Sequence, residues 1–220
     1  MKDSHCQLSN YQTIETHPLG FFIPEQSRVL MLGSFPPKQD RWSMNFYYPN
    51  FQNDMWRILG LIFFKDKNYF IEMPYKKFDE NKARNFCINN KIALGDTALK
   101  IVRLKNNSSD NFLKVIETAD IKKVISKIPN CTTIILTGQK AMDIFLSIIP
   151  IDEPSISAFS QYRYKSRTIR VYRMPSTSRA YPKSLTEKAN VYKKMFQDIG
   201  LKLFLTAPLA EIIPHHIKHH

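Results

Sequence analysis

Two stretches of the 220-residue chain combine aromatic rings, amides and hydroxyls with turn-forming residues. The first begins at Gly33 and reads GSFPPKQDRWSMNFYYPNFQND. It offers aromatic faces at Phe46 and Tyr48 and a carboxamide at Asn53. Stacking on a ring together with hydrogen bonding to an amide suits a nucleobase. The alternative is that these rings form core under a long loop, but three consecutive aromatics cannot all point inward, so we expect at least one to line a pocket.

The second stretch, MPSTSRAYPKS, holds hydroxyl and basic side chains between two prolines. Hydroxyls, backbone N–H groups and cations are the usual contacts to phosphate oxygens. An ordinary Ser/Thr turn is the alternative. A third segment, TGQKA, places Gly138 at a strand-to-helix turn. This turn could present a helix N-terminus to an anion or a base, although packing is the simpler interpretation of a single glycine. The residues expected to contact a phosphate backbone are Ser176, Thr177, Ser178, Arg179 and Lys183.

The positive charge is concentrated in one part of the sequence. The formal net charge is +13, and residues 161–194 hold ten basic residues against the single acid Glu187. Concentrated charge of one sign is typical of proteins that bind a polyanion. A solvated basic face is the alternative, but the interleaved tyrosines and the Ser/Thr-rich turn favour nucleic acid.

The cysteine and histidine content excludes several kinds of site. Three widely spaced cysteines make neither a disulfide framework nor a zinc knuckle, and they favour a reducing, cytoplasmic location. No histidine lies between His17 and His215, which argues against a Ser-His-Asp triad and an interior histidine–zinc site. We therefore expect no metal site. No apolar run approaches the ~20 residues of a membrane span, and no secretory signal is visible.

The order of predicted elements indicates an α/β fold, a three-layer α/β/α sandwich with a central, mostly parallel sheet. Apolar runs predict buried strands. Asn53 or Asp54 can cap a helix formed by the apolar segment that follows, and Ser184 with Glu187 forms a capping box for the last helix. Helical periodicity predicts a helix over Phe112–Ile128. The predicted strands are Arg28–Ser34, Lys91–Leu94, Thr132–Leu136, and a hairpin of Ser157–Lys165 with Thr168–Tyr172.

Three regions follow from this pattern: an N-terminal arm over residues 1–27, an α/β/α domain over 28–200, and a C-terminal tail over 201–220. The tail ends in HHIKHH, for which a frayed terminus is the simpler reading and a metal-binding terminus the alternative.

The motifs GSFPP, FYYPNFQNDMW, TGQKA and MPSTS, in this order, resemble those of the uracil-DNA glycosylase superfamily. The nearest similarity is to the branch with hypoxanthine-DNA glycosylases and mismatch-specific uracil/thymine glycosylases, and it runs from about Val29 to Met195. The resemblance implies an enzyme that flips a damaged base from DNA and hydrolyses its N-glycosidic bond without a cofactor, in base excision repair.

The resemblance also implies site residues. Gly33 to Pro37 matches the motif that abuts the sugar and base, with Phe35 where mismatch-specific relatives have a water-positioning Asn. Asn53 matches an Asn that is important in the hypoxanthine branch, and Tyr48 falls where the family stacks an aromatic on the base. Met174 replaces a frequent His. The expected catalytic residues are Asn53 and Ser34, and the expected base-binding residues are Gly33, Phe35, Tyr48, Phe46 and Gly138.

The expected substrate is single- or double-stranded DNA with a deaminated base, hypoxanthine or uracil. The protein is expected to act as a monomer. Its expected location is the cytoplasm, with the nucleoid or in a nucleus, and not a membrane. The nearest acids, Asp40 and Asp54, could activate water, although loop or cap roles are the simpler interpretation. Two alternatives are a non-catalytic nucleic-acid binder of the same fold and a hydrolase of free nucleosides or nucleotides, against which the extended basic stretch argues.

Overall fold

A computed structural model describes residues 13–104 and 112–203 of the chain. Its centre is a five-stranded sheet, and four of the five strands are parallel. The spatial order is β5-β2-β8-β10-β9, in which β9 pairs antiparallel with β10. The strands are β2 (Val29–Gly33), β5 (Ile92–Asp96), β8 (Thr133–Thr137), β9 (Phe159–Tyr164) and β10 (Arg167–Met174).

Helices cover both faces of this sheet, which confirms the three-layer α/β/α prediction. Side chains alternate across β2, so Val29 and Met31 pack on one face and Leu30 and Leu32 on the other. The first face is covered by α1 (Met55–Phe64), α2 (Glu80–Asn89) and α5 (Leu185–Asp198), and the second by α3 (Ile121–Lys127) and α4 (Gln139–Ile148).

Two smaller sheets flank the domain. β1 (Ile14–Thr16), β6 (Ala98–Arg103) and β7 (Leu113–Thr118) form an antiparallel sheet in the order β1-β6-β7. β3 (Ile71–Glu72) pairs with β4 (Lys77–Phe78). The N-terminal segment therefore pairs with β6 through β1, and the Phe22 backbone also bridges Leu94 of β5.

The helix predicted over Phe112–Ile128 is wrong in its first half. Residues of LKVIET form β7, and the helix α3 starts only at Ile121, where the Asp120 side chain accepts a hydrogen bond from Lys123 N. The pairing of β7 with β6 outweighs local helical periodicity, because it satisfies the backbone of an edge segment. The polar sequence KNNSSDN over residues 105–111 predicts a loop, but it lies outside the described residues, as does nearly all of the tail, with its four histidines.

Other local predictions are confirmed. The capping box of Ser184 and Glu187 begins α5, and the β9–β10 hairpin forms, with its turn at Lys165 and Ser166. In the described residues no helix is long and apolar enough to cross a bilayer.

Candidate functional site

Polar side chains meet where the parallel strands end, on the sheet face covered by α1 and α5. Gly33, at the end of β2, is paired with Asp96 of β5 on one side. On the other side Leu32 is paired with Leu136 of β8, so Thr137, the next residue of β8, lies beside Gly33. Gly33 permits a close approach here, since a Cβ on it would lie 2.3 Å from Asp96 Oδ1 and 3.9 Å from Thr137 Oγ1. Asp96, Gly33 and Thr137 thus form a row, the strand-end row, at the sheet edge where α/β proteins bind ligands.

Asp96 is held by a histidine that the sequence analysis did not select. His17 Nε2 donates to Asp96 Oδ2 at 2.7 Å, and the side chains are only 4% and 9% exposed. The histidine count argues only against a triad and a histidine–zinc site, and His17 forms neither: it comes from the N-terminal segment after β1 and pairs with a single carboxylate. The one available signal was the acid of IALGD at the end of a predicted strand.

Tyr48 reaches the strand-end row, as the sequence analysis requires of a ring beside the first strand. Its hydroxyl lies 3.1 Å from Thr137 Oγ1, and the residue as a whole is half-buried against the core. Its φ of 53° is a left-handed conformation that is uncommon for a tyrosine and often marks functional positions. Burial raises the pKa of the Tyr48 hydroxyl well above its usual value; the hydrogen bond with Thr137 opposes this rise and Asp96 adds to it. The phenol is therefore neutral.

Gly138 and Ser176 bring the second loop to the same edge. Gly138 has φ 111°, its amide donates to Met174 O at 3.1 Å, and a Cβ on it would lie 3.4 Å from Ser176 Cβ. The left-handed φ and the close contact together explain a glycine here. The loops after β8 and β10 therefore touch directly.

The loop before α1 is joined to the loop after β10. Asn53 and Ser178 form an isolated β-bridge, and Asp54 N donates to Thr177 O at 2.9 Å. Asn53 Oδ1 accepts from Met55 N at 2.8 Å at the start of α1. Because a backbone N–H fixes the oxygen of this carboxamide, the NH2 group of Asn53 is the part that can address a ligand.

An ion cluster centred on the buried pair of Asp54 and Lys188, with the exposed Arg179 beside it, fixes this junction. Asp54 accepts from Lys188 Nζ at 3.0 Å and from Arg179 Nε at 3.1 Å, and Lys188, 1% exposed, also donates to Ser178 O. Arg179 donates further to Gln52 Oε1 at 2.6 Å. Asp54 is thus a structural anion, and Asp40 is exposed in a short 3-10 helix, so neither of the acids singled out in the sequence lies in the strand-end row.

Several residues expected to contact a ligand are occupied by the fold. Phe46 is 2% exposed and packs against Phe22 and Trp56, and Thr177 is 2% exposed. Phe35 is buried, with its ring 5.1 Å from that of His17. Ser34 is buried at the end of β2, and its carbonyl accepts from Ala98 N.

The Ser/Thr turn has mainly internal bonds. Ser176 Oγ accepts from Ser178 N, and Ser178 Oγ accepts from Ala180 N, each at 3.2 Å. These bonds form an ordinary Ser/Thr turn, the alternative to phosphate binding for this sequence. Lys183 is exposed next to this turn.

Much of the basic stretch is also neutralised or bonded internally. Arg167 donates to four backbone carbonyls around the end of α3, Arg170 pairs with Asp198, and Arg173 pairs with Glu153. Together with Arg179 and Lys188, half of the ten basic residues thus serve the fold. The charge available to a polyanion is smaller than the sequence suggests.

Two surface cavities lie away from the strand-end row. One of about 800 Å³ is lined by residues of 150–152 and 160–163, and one of about 440 Å³ lies between β9, β10 and α5. In the described part of the chain, no three His, Cys, Asp or Glu side chains cluster as metal ligands would.

Comparison with known proteins supports the fold. No protein-family model matches the chain. No curated protein matches it either. Among solved structures, the solution NMR structure of a candidate uracil DNA glycosylase from Methanosarcina acetivorans matches with a TM-score of 0.53 and 21% sequence identity, covering 83% of this chain and 99% of that one. The chain therefore has a uracil-DNA-glycosylase-like fold.

Proposed function

We propose that this chain is a DNA glycosylase that hydrolyses the N-glycosidic bond of a flipped deaminated base, hypoxanthine or uracil. The observation that carries the proposal is Tyr48, a half-buried residue in a left-handed backbone conformation whose hydroxyl is hydrogen-bonded to Thr137 in the strand-end row. The fold shared with the candidate uracil DNA glycosylase from Methanosarcina acetivorans supports it.

The reaction does not require a strong general base from the protein. Cleavage of the C1′–N bond produces an oxocarbenium-like sugar and a base anion, so the site has to stabilise charge on the base and deliver water. Tyr48 stacks on the base. The NH2 group of Asn53 donates to a base carbonyl as negative charge develops there, a role that fits the hydrogen bond its oxygen makes with Met55 N. Phe46 has no part in this site, because core packing encloses its ring.

DNA is held mainly by the exposed basic residues of the second loop and the β9–β10 hairpin. Lys183 is exposed beside the Ser/Thr turn, and Arg163 and Lys165 are exposed on the hairpin. Arg179 contributes less than its charge suggests, since it is paired with Asp54.

The test is a panel of duplex and single-stranded oligonucleotides with one hypoxanthine, one uracil or only normal bases, followed by alkaline scission at abasic sites. We expect scission at one or both lesions and none in normal DNA. No scission on any lesion would contradict the enzyme, and cleavage of free deoxyinosine or deoxyuridine alone would instead identify a nucleoside hydrolase.

A second candidate is a nucleic-acid binder of the same fold without catalysis. By the resemblance described above, Phe35 occupies the place of the Asn that positions water in mismatch-specific glycosylases. Its ring is buried against His17. Lesion-independent binding with zero base release would support this candidate.

A further inference from the structure

The buried pair of His17 and Asp96 has no part in the mechanism described so far. His17 Nε2 donates to Asp96 Oδ2 at 2.7 Å. Nδ1 of the same ring lies 2.7 Å from Leu19 O and 3.1 Å from Leu19 N, and the ring packs edge-on to Phe35. The imidazole therefore has one orientation, and that orientation fixes the carboxylate of Asp96.

The second oxygen of Asp96 faces the strand-end row. Oδ1 lies against Gly33, where a Cβ would come within 2.3 Å of it. No described residue donates a hydrogen bond to Oδ1, and the Asp96 side chain keeps 9% of its surface exposed. The Asp96 charge also reaches both neighbouring phenols, because it adds to the rise in the pKa of Tyr47 and of Tyr48 that burial causes.

The N-terminal segment is also attached by contacts other than this pair. β1 is already paired with β6 along the backbone, Arg103 forms an ion pair with Glu15 at 2.9 Å, and Phe22 exchanges backbone hydrogen bonds with Leu94. A buried carboxylate with one oxygen fixed and the other without a donor among the described residues is the arrangement expected of a group that orients water.

We infer that Asp96 Oδ1 holds the attacking water of the glycosylase reaction at Gly33, with His17 as the positioning residue; this rests on the proposed function. The C1′–N bond breaks and its electron pair leaves with the base. The water oxygen then bonds to C1′ of the sugar cation, and its proton passes to the Asp96 carboxylate. The base anion takes a proton from solvent, and Asp96 returns its own proton to solvent. The negative carboxylate also favours the sugar cation electrostatically.

The test measures single-turnover base release from hypoxanthine- and uracil-containing duplexes, with the Kd for the same DNA measured in parallel. We expect Asp96→Asn to lower the rate at least 100-fold, in the range of losing one preorganised group, and to leave Kd within about threefold. His17→Leu should lower the rate at least tenfold. His17→Gln should restore most of that loss, since its NH2 group can still donate to Oδ2.

The matched control is Glu15→Gln, which breaks the neighbouring ion pair of the same segment without touching the strand-end row. Its rate should equal that of the wild type. If Asp96→Asn fails to fold, Asp96→Glu serves instead. It keeps the negative charge but displaces the oxygen that corresponds to Oδ1, so its rate of base release should also be low.

Base release within threefold of wild type in folded Asp96→Asn or Asp96→Glu would overturn the inference while leaving the glycosylase standing. Equal losses in His17→Gln and His17→Leu would overturn the positioning role. If the wild type releases neither base, the proposed function fails first, and the inference fails with it.

Discussion

At the residue scale, one hydrogen bond decides how a carboxamide can act. Met55 N fixes Asn53 Oδ1, and the backbone of Asn53 is bridged to Ser178, so only the NH2 group is presented to a ligand. Asn53 could be predicted as a site residue from the sequence because it precedes an apolar helix. The sequence could not predict which atom of its carboxamide would be available to a ligand, because that depends on the geometry of the helix start.

We predict that Asn53→Ala lowers the single-turnover rate about 10²–10³-fold, since it removes one preorganised donor at the base. DNA binding should change little. Asn53→Asp keeps the acceptor for Met55 N but loses the donor, so it should fold normally and be equally slow. A folded Asn53→Ala that turns over at the wild-type rate would remove Asn53 from the mechanism.

Two variants of Tyr48 distinguish the contribution of its ring from that of its hydroxyl. Stacking on a base contributes ~1–3 kcal/mol by alanine substitution, so Tyr48→Ala should weaken binding of lesion DNA by between about 5- and 150-fold. Tyr48→Phe keeps the ring, loses only the hydrogen bond to Thr137 and should bind nearly as tightly. Fluorescence titration with a labelled lesion duplex measures both, and equal affinities for the Ala and wild-type proteins would exclude stacking.

At the element scale, the sequence predicted the strands of the central sheet and the helix starts better than it predicted the flanking sheet. The apolar run of β2 and the capping box of α5 are local signals that the fold retains. β7 depends instead on pairing with β6, and His17 depends on β1 reaching the same sheet. Such non-local contacts leave no periodicity in a single segment.

The junction between α1 and the loop after β10 depends on a buried charge cluster. Asp54→Asn leaves the Lys188 ammonium, 1% exposed, without its carboxylate. Breaking such a pair costs about 3–5 kcal/mol. We therefore expect a loss of this size in the free energy of unfolding measured by denaturant titration. Glu117→Gln, in the exposed pair with Lys100, is the control and should cost less than about 1 kcal/mol. Equal effects would mean that the buried cluster does not hold the loops.

At the scale of the whole molecule, net charge overstates the surface that DNA can use. Residues 161–194 carry much of the formal charge of +13, yet Arg167, Arg173 and Lys188 are bonded within the fold. Composition predicted a polyanion partner, but it could not show which cations were already paired.

Salt dependence distinguishes free cations from paired ones. Lys183→Ala should reduce the slope of log K against log salt by about one, the value for one lost phosphate contact. Arg179→Ala should reduce it by less, because Asp54 already neutralises part of that charge. Filter binding of one duplex at several salt concentrations gives both slopes. A larger change for Arg179→Ala than for Lys183→Ala would contradict this assignment.

The central claim is that a deaminated base is cut from DNA at the carboxyl end of β2, between Tyr48 and the loop of Asn53. Chromatographic detection of the free base released from a duplex with one hypoxanthine or one uracil tests this claim most directly. The account predicts a stoichiometric release of hypoxanthine, uracil or both by the wild type, and strongly slowed release by Asn53→Ala at equal DNA occupancy. Tight binding of both duplexes with no free base after complete occupancy would contradict it.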